Sequence, residues 1–234
     1  MIRMKKELIL ISSILIIATT IFFIVAIIVY KNNGELAIDN NIQDKVYSLR
    51  GEKGGFIYFI FRIITEFGYV YAAVVIILFM AIFSKFDRGT VIAIFDIIFA
   101  TILNLVLKLY FDRERPNSAL QWMRESDTSF PSGHSCTAAF LYSYLTYYLF
   151  KNNKKKIIKY TILIVSIVLI PTIMLSRIVL GMHYFSDVIA GAMVGIISFC
   201  ISAFIYMLFE RYGILDKSII SFKRKKDEEE SINS

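Results

Sequence analysis

Long apolar runs separated by short charged connections set the pattern of this chain. Six stretches, residues 8–30, 67–83, 90–107, 134–150, 159–175 and 188–209, are almost free of charge. Each comes near the roughly 20 residues that a helix needs to cross a bilayer core of about 30 Å. Continuous apolar runs of this length predict helices, which satisfy every backbone N–H and C=O within the segment itself. The expectation is an all-α polytopic membrane bundle of about six transmembrane helices. Arg3, Lys5 and Lys6 precede the first run as in a signal peptide. The run exceeds an ordinary signal core, however, and Tyr30-Lys31-Asn32-Asn33 lacks the small residues of a cleavage site, so an uncleaved helix is expected.

Between the first two runs lies the longest connection, residues 31–66. Its end, from Gly55 to Arg62, is rich in aromatics and is expected along the membrane interface. The chain is therefore divided into a first helix with its extracytoplasmic connection (1–66), a membrane-embedded core (67–210) and a charged cytoplasmic tail (211–234). The tail carries Lys223-Arg224-Lys225-Lys226 followed by Asp227-Glu228-Glu229-Glu230, which reads as a solvated, disordered topology anchor.

Composition agrees with the pattern: 57% of the 234 residues are hydrophobic and mean hydropathy is +0.63. The net charge of +7 raises a nucleic-acid reading, but most cations flank the apolar runs. Anionic lipid headgroups are the better partner, and no nucleic acid is expected. With the N-terminus inside, three Lys or Arg precede residue 8, two fall in 84–89, five in 151–159 and six from Arg211 onward, against ten elsewhere. The positive-inside rule then puts both termini in the cytoplasm. Cys136 and Cys200 lie in apolar runs without metal-ligand spacing and read as packing residues.

Chemistry gathers in three blocks on the opposite, extracytoplasmic side: Lys108-x6-Arg115-Pro116, Pro131-Ser132-Gly133-His134, and Ser176-Arg177-x5-His183-x3-Asp187. These contain the only two histidines of the chain. A phosphoryl group in transfer spreads negative charge over its oxygens, so catalysis is mostly positioning and electrostatic stabilisation. Lys108, Arg115 and Arg177 supply charge, and Ser132 and the backbone N–H groups around Gly133 supply donors at a helix start. His183 and Asp187, spaced i and i+4, share a helix face where a carboxylate sets the imidazole tautomer for attack. His134 is placed to protonate the leaving oxygen. No metal site and no cofactor is expected.

These blocks resemble the three signature motifs of the type 2 phosphatidic acid phosphatase superfamily, integral-membrane lipid phosphate phosphatases related to vanadium haloperoxidases. All eleven residues match in type, order and internal spacing. The resemblance implies that His183 is a nucleophile forming a phosphohistidine, that Asp187 orients it and that His134 is the general acid. Lys108, Arg115, Ser132, Gly133 and Arg177 would form the phosphate pocket. It covers Lys108 to Asp187 and leaves substrate choice open.

A membrane lipid is the expected substrate, because nothing in the chain reads as a soluble recognition domain. The Ile, Lys and Asn usage suggests a bacterial chain, for which undecaprenyl diphosphate is the first choice. Arg113 and Arg124 would then meet the second phosphate. Phosphatidylglycerol phosphate and phosphatidic acid also fit, as does a lipid phosphotransferase on the same scaffold. A vanadate-dependent haloperoxidase and a non-enzymatic transporter or scaffold are weaker rivals. Asp96, inside the third run, is expected to be hydrogen-bonded within the bundle, and Asn104 either to hold Lys108 or to cap a helix contact. Oligomeric state is left open.

Overall fold

The computed structural model describes residues 2–212, so the basic and acidic blocks of the tail lie outside the described residues. Eight α-helices follow one another: α1 (Ile2–Lys31), α2 (Ala37–Leu49), α3 (Phe56–Glu66), α4 (Val70–Phe83), α5 (Arg88–Phe111), α6 (Gly133–Asn152), α7 (Lys156–Val179) and α8 (Phe185–Arg211). No strand occurs among the described residues. The six expected runs fall on α1, α4, α5, α6, α7 and α8, with ends displaced by a few residues.

Four of these helices are long and apolar enough to cross a membrane: α1, α5, α7 and α8. A fifth span exists if α3 and α4, bent by 49° at their junction, are taken together. The break falls at Gly68, where a Cβ would stand 2.7 Å from Ile173 Cγ2 and 3.2 Å from His134 Cβ. The chain there is pressed against α7 and α6, and only glycine leaves room. α3 turns Phe56, Phe59 and Ile63 outward while burying Thr65, as an interfacial helix would.

α6 departs from the expectation. Its 20 residues are long enough, about 30 Å at 1.5 Å per residue, but it is not among the helices apolar enough to face lipid. It carries Ser135, Thr137, Tyr142, Tyr144 and Tyr148, all buried, because α4, α5, α7 and α8 all pack against it. Protein replaces lipid around it, so hydroxyls are tolerated where they find partners. Tyr144 donates to Gly89 O at 2.6 Å and Ser166 Oγ donates to Tyr142 O at 3.1 Å.

α6 and α8 cross closely. Cβ atoms at Gly191 and Gly195 would lie 2.2 Å from the carbonyl oxygens of Ser132 and Cys136. This is the small-xxx-small spacing by which helix backbones approach in membranes. The Ser132 N–H donates to Asp187 O at 3.0 Å across the same contact.

The two ends of the bundle differ. At one, Lys151 bridges Glu7 (2.8 Å) and Glu210 (2.7 Å), and Tyr148 donates to Asp87 at 2.6 Å. The start of α1, the α4–α5 and α6–α7 turns and the end of α8 therefore lie together, as the cation count requires of a single face. At the other end all three motif blocks meet. Both cysteines are buried and unpaired. Asp96 does not behave as expected: its buried Oδ2 has no hydrogen-bond partner, and it borders a largely apolar cavity of about 430 Å³ between α5 and α8.

Candidate active site

The cations arrive from three directions. Lys108 lies one turn before the end of α5, Arg115 in the loop beyond it, and Arg177 near the end of α7. All three are held by protein atoms. Lys108 Nζ donates to Thr128 O and lies 3.0 Å from Asp127 Oδ2. Arg115 donates through Nη1 to Met182 O at 2.7 Å and through Nε to Asp127 O at 2.7 Å. Arg177, fully buried, donates to Thr65 Oγ1 at 2.8 Å and to Glu125 Oε1. Asn104 does not hold Lys108. Its Oδ1 stands 3.4 Å from the Cβ position of Gly133, in the contact between α5 and α6.

His183 sits in the turn between α7 and α8, itself fully buried. Its Nε2 lies 3.3 Å from Arg115 Nη1, and its Nδ1 lies 3.5 Å from Asp187 Oδ2. The carboxylate thus faces one ring nitrogen and leaves the other toward the cations. Burial, reinforced by Arg115, Arg177 and Lys108, lowers the His183 pKa well below the ordinary histidine value. The imidazole is therefore neutral, with a lone pair, at neutral pH and some way below it.

Asp187 is anchored through both carboxylate oxygens. Its Oδ2 accepts the Tyr184 N–H at 2.9 Å, as a carboxylate at the third residue of a helix does. Its Oδ1 accepts Arg113 Nη1 at 2.5 Å. Arg113 also meets Asp39 at 2.7 Å and Gly34 O at 2.6 Å. Asp39 in turn accepts the Ser186 N–H at 2.9 Å. Arg113 is consequently spent on positioning Asp187 and is not free to meet a second phosphate, which corrects the sequence expectation. Arg124 is exposed at the rim.

His134 is the second residue of α6, two positions after its N-cap Ser132. The Tyr69 ring packs edge-on against the His134 imidazole, with ring centroids 4.1 Å apart. Ser132 Oγ accepts from the Ser135 N–H at 3.4 Å and the Ser135 hydroxyl at 3.1 Å. Ser132 thus caps α6, and Gly133 is the first residue of that helix. Three buried nitrogens here, His134 Nε2, Arg177 Nε and His183 Nδ1, have no hydrogen-bond partner among the described residues. Buried polar groups in that condition call for a ligand or for water.

Sequence reasoning missed Asp39, Thr65, Glu125 and Asp127. The connection 31–66 supplies the first two and also caps α7. Gln43 donates to Ile178 O at 3.2 Å, and Arg50 donates to Val179 O at 2.8 Å and Leu120 O at 2.5 Å. The Arg124-Glu125-Ser126-Asp127 run was visible as a charged loop, but nothing in its spacing marks it as facing the cradle. Beside Arg115 opens a cleft of about 790 Å³. Its walls are apolar at Val29 and Phe111 and polar at Lys31, Glu35, Asp112 and Glu114.

A helical membrane bundle with a cationic cradle around a carboxylate-oriented imidazole defines a class, that of membrane phosphoryl-transfer proteins. Residues 89–211 match the PAP2 superfamily, and the chain belongs to it. Phosphatidylglycerophosphatase B of Bacillus subtilis (strain 168) is 40% identical over 102 residues, which are 42% of this chain and 48% of that protein. The match thus spans about half the length of that relative. The fold is similar to the crystal structure of a transmembrane PAP2 type phosphatidylglycerolphosphate phosphatase from Bacillus subtilis. The TM-score is 0.75 and the identity 26%, covering 85% of this chain and 98% of that one. It is also similar to Aquifex aeolicus LpxE, with a TM-score of 0.58 and 25% identity, covering 72% of this chain and 96% of the other.

Proposed function

We propose that this protein hydrolyses a lipid phosphate through a phosphohistidine on His183 Nε2. The observation that carries the reading is the placement of that nitrogen beside Arg115, with Asp187 behind the ring. The phosphate lies among Lys108, Arg115 and Arg177. The Nε2 lone pair attacks phosphorus while His134 gives a proton to the departing lipid oxygen. His134 then takes a proton from water, which attacks the phosphohistidine and releases phosphate. The motif cations stabilise the equatorial charge in both steps, the part that magnesium plays in metal-dependent enzymes.

Phosphatidylglycerol phosphate is the substrate we favour. The cleft beside Arg115 leaves room for a glycerol headgroup next to the reacting phosphate, which undecaprenyl diphosphate lacks. The names of the Bacillus subtilis relative and of the Bacillus subtilis solved structure, both phosphatidylglycerol phosphate phosphatases, support this choice. Undecaprenyl diphosphate stays as the second reading, because Arg124 is an exposed cation in the same loop as Glu125 and Asp127. Phosphate release from both lipids and phosphatidic acid in mixed micelles, with a chelator present, tests substrate and metal requirement together. Fastest release from phosphatidylglycerol phosphate, undiminished by chelator, is expected. Faster release from the polyprenyl diphosphate would reverse the order, and loss with chelator restored by magnesium would end the metal-free mechanism.

We further propose six crossings, with α6 included as an interior span, and a site on the extracytoplasmic face. An impermeant maleimide should label Ser126→Cys in intact cells and Lys154→Cys only after permeabilisation. The reverse pattern would invert the protein.

A further inference from the structure

Each cation of the cradle already has a carboxylate partner. Glu125 reaches Arg177 Nη2 through Oε1. Its Oε2 lies 2.8 Å from Arg115 Nη2 and 3.9 Å from His183 Nε2. One carboxylate thus touches two of the three cations and stands before the attacking nitrogen. Asp127 completes the set, 3.0 Å from Lys108 and 2.5 Å from Arg115. Both come from one short stretch of the α5–α6 loop in which Arg124 and Ser126 are exposed. Burial works against the Glu125 carboxylate, but the Arg177 and Arg115 guanidinium groups against it outweigh that and hold its pKa below the usual carboxylate value. Glu125 is therefore a monoanion at neutral pH.

Its position is the one a phosphate must take if His183 is to attack phosphorus. A ligand enters only by exchanging with it, and the charge of the ligand decides that exchange. A phosphodiester, the group carried by ordinary phospholipids, brings one negative charge and replaces one negative charge. A phosphate monoester carries about −1.5 to −2 at pH 7, its second pKa being about 6. It thus gains an attraction to the three cations that the carboxylate did not have.

We propose that Glu125 is a specificity-determining residue, a resident carboxylate in the phosphate position that dianionic monoesters displace and monoanionic diesters do not. The proposal rests on the phosphoryl-transfer reading of the site given above. It accounts for how a cationic cradle at the membrane surface avoids being filled by the phosphodiester headgroups that surround it in excess.

The test measures binding of methyl phosphate and dimethyl phosphate to the full-length protein in detergent by calorimetry. The wild type is expected to prefer methyl phosphate strongly. In Glu125→Gln, dimethyl phosphate should bind about tenfold more tightly, the size of one charge-assisted contact, and the preference should shrink. Dimethyl phosphate affinity that is unchanged or weaker would mean that Glu125 only holds Arg177 and Arg115 in place, and would overturn the proposal. Should that variant not fold, Glu125→Ala is measured in the same way with the same expectation, and the wild type gives a second reading. Its methyl phosphate affinity should climb between about pH 5 and 7, across the second ionisation, while dimethyl phosphate stays flat. Parallel curves for the two ligands would overturn the proposal. If methyl phosphate binds neither protein at any pH, the phosphoryl-transfer reading itself falls.

Discussion

Gly191→Ala is expected to abolish phosphatase activity and to lower the thermal unfolding midpoint, although alanine is the better helix former. The intrinsic gain from Gly to Ala in a helix is about 1 kcal/mol. Against it stands a Cβ 2.2 Å from Ser132 O, 3.0 Å from Ser132 C and 3.1 Å from Ser132 N. Those are backbone atoms of the turn that starts α6, so no side chain can swing aside. Either α8 withdraws, carrying Asp187 with it, or the turn shifts, carrying His134. Overpacking of this kind costs about 1–3 kcal/mol, and more where the backbone is fixed. Gly133→Ala is the comparison, because its Cβ would meet only Asn104 Oδ1 at 3.4 Å. That protein should fold with a near-native midpoint. Thermal unfolding in detergent, followed by circular dichroism, checks both, and a native-like Gly191→Ala protein would mean that the α6–α8 contact is looser than described.

His183→Ala is expected to reduce turnover by at least about four orders of magnitude, as loss of a nucleophile does. His134→Ala should cost about 100- to 10,000-fold on a lipid substrate and far less on an ester whose leaving group departs without a proton. The comparison is one of kcat across leaving groups. A leaving-group dependence that His134→Ala leaves unaltered would remove the acid role. Asp187→Asn differs in kind. It neutralises the carboxylate that faces His183 Nδ1 at 3.5 Å and removes one of two carboxylates on the buried Arg113. Unpairing a buried ion costs about 3–5 kcal/mol, and Asp39 stays to hold Arg113, so a smaller stability loss should accompany the loss of rate.

The apolar runs announced their helices because a membrane imposes length and hydropathy together. Each of the six runs found a helix, and the motif cations found one another around His183. What stayed hidden was polar and long-range. Asp39 and Ser186 are 147 positions apart, and no periodicity links them. Arg113, two residues before Arg115, looked like a further phosphate ligand until Asp39 and Asp187 were seen to share it. α2 was hidden because a short, mostly polar helix has no strong apolar face to declare it. α6 was visible as a run but not as an interior helix, although its row of tyrosines and hydroxyls signals burial in protein in place of lipid. Glu125 could not be assigned to the cradle, since loop geometry alone carries it there.

The most direct test of the central claim is capture of the covalent intermediate. The full-length protein is mixed with lipid phosphate labelled at the terminal phosphorus, quenched within the first turnover in alkali, which spares phosphohistidine, and mapped by peptide. The account predicts label on the peptide containing His183, retained by His134→Ala and absent from His183→Ala. Steady hydrolysis by the wild type with no label on His183, or undiminished turnover by His183→Ala, would contradict it.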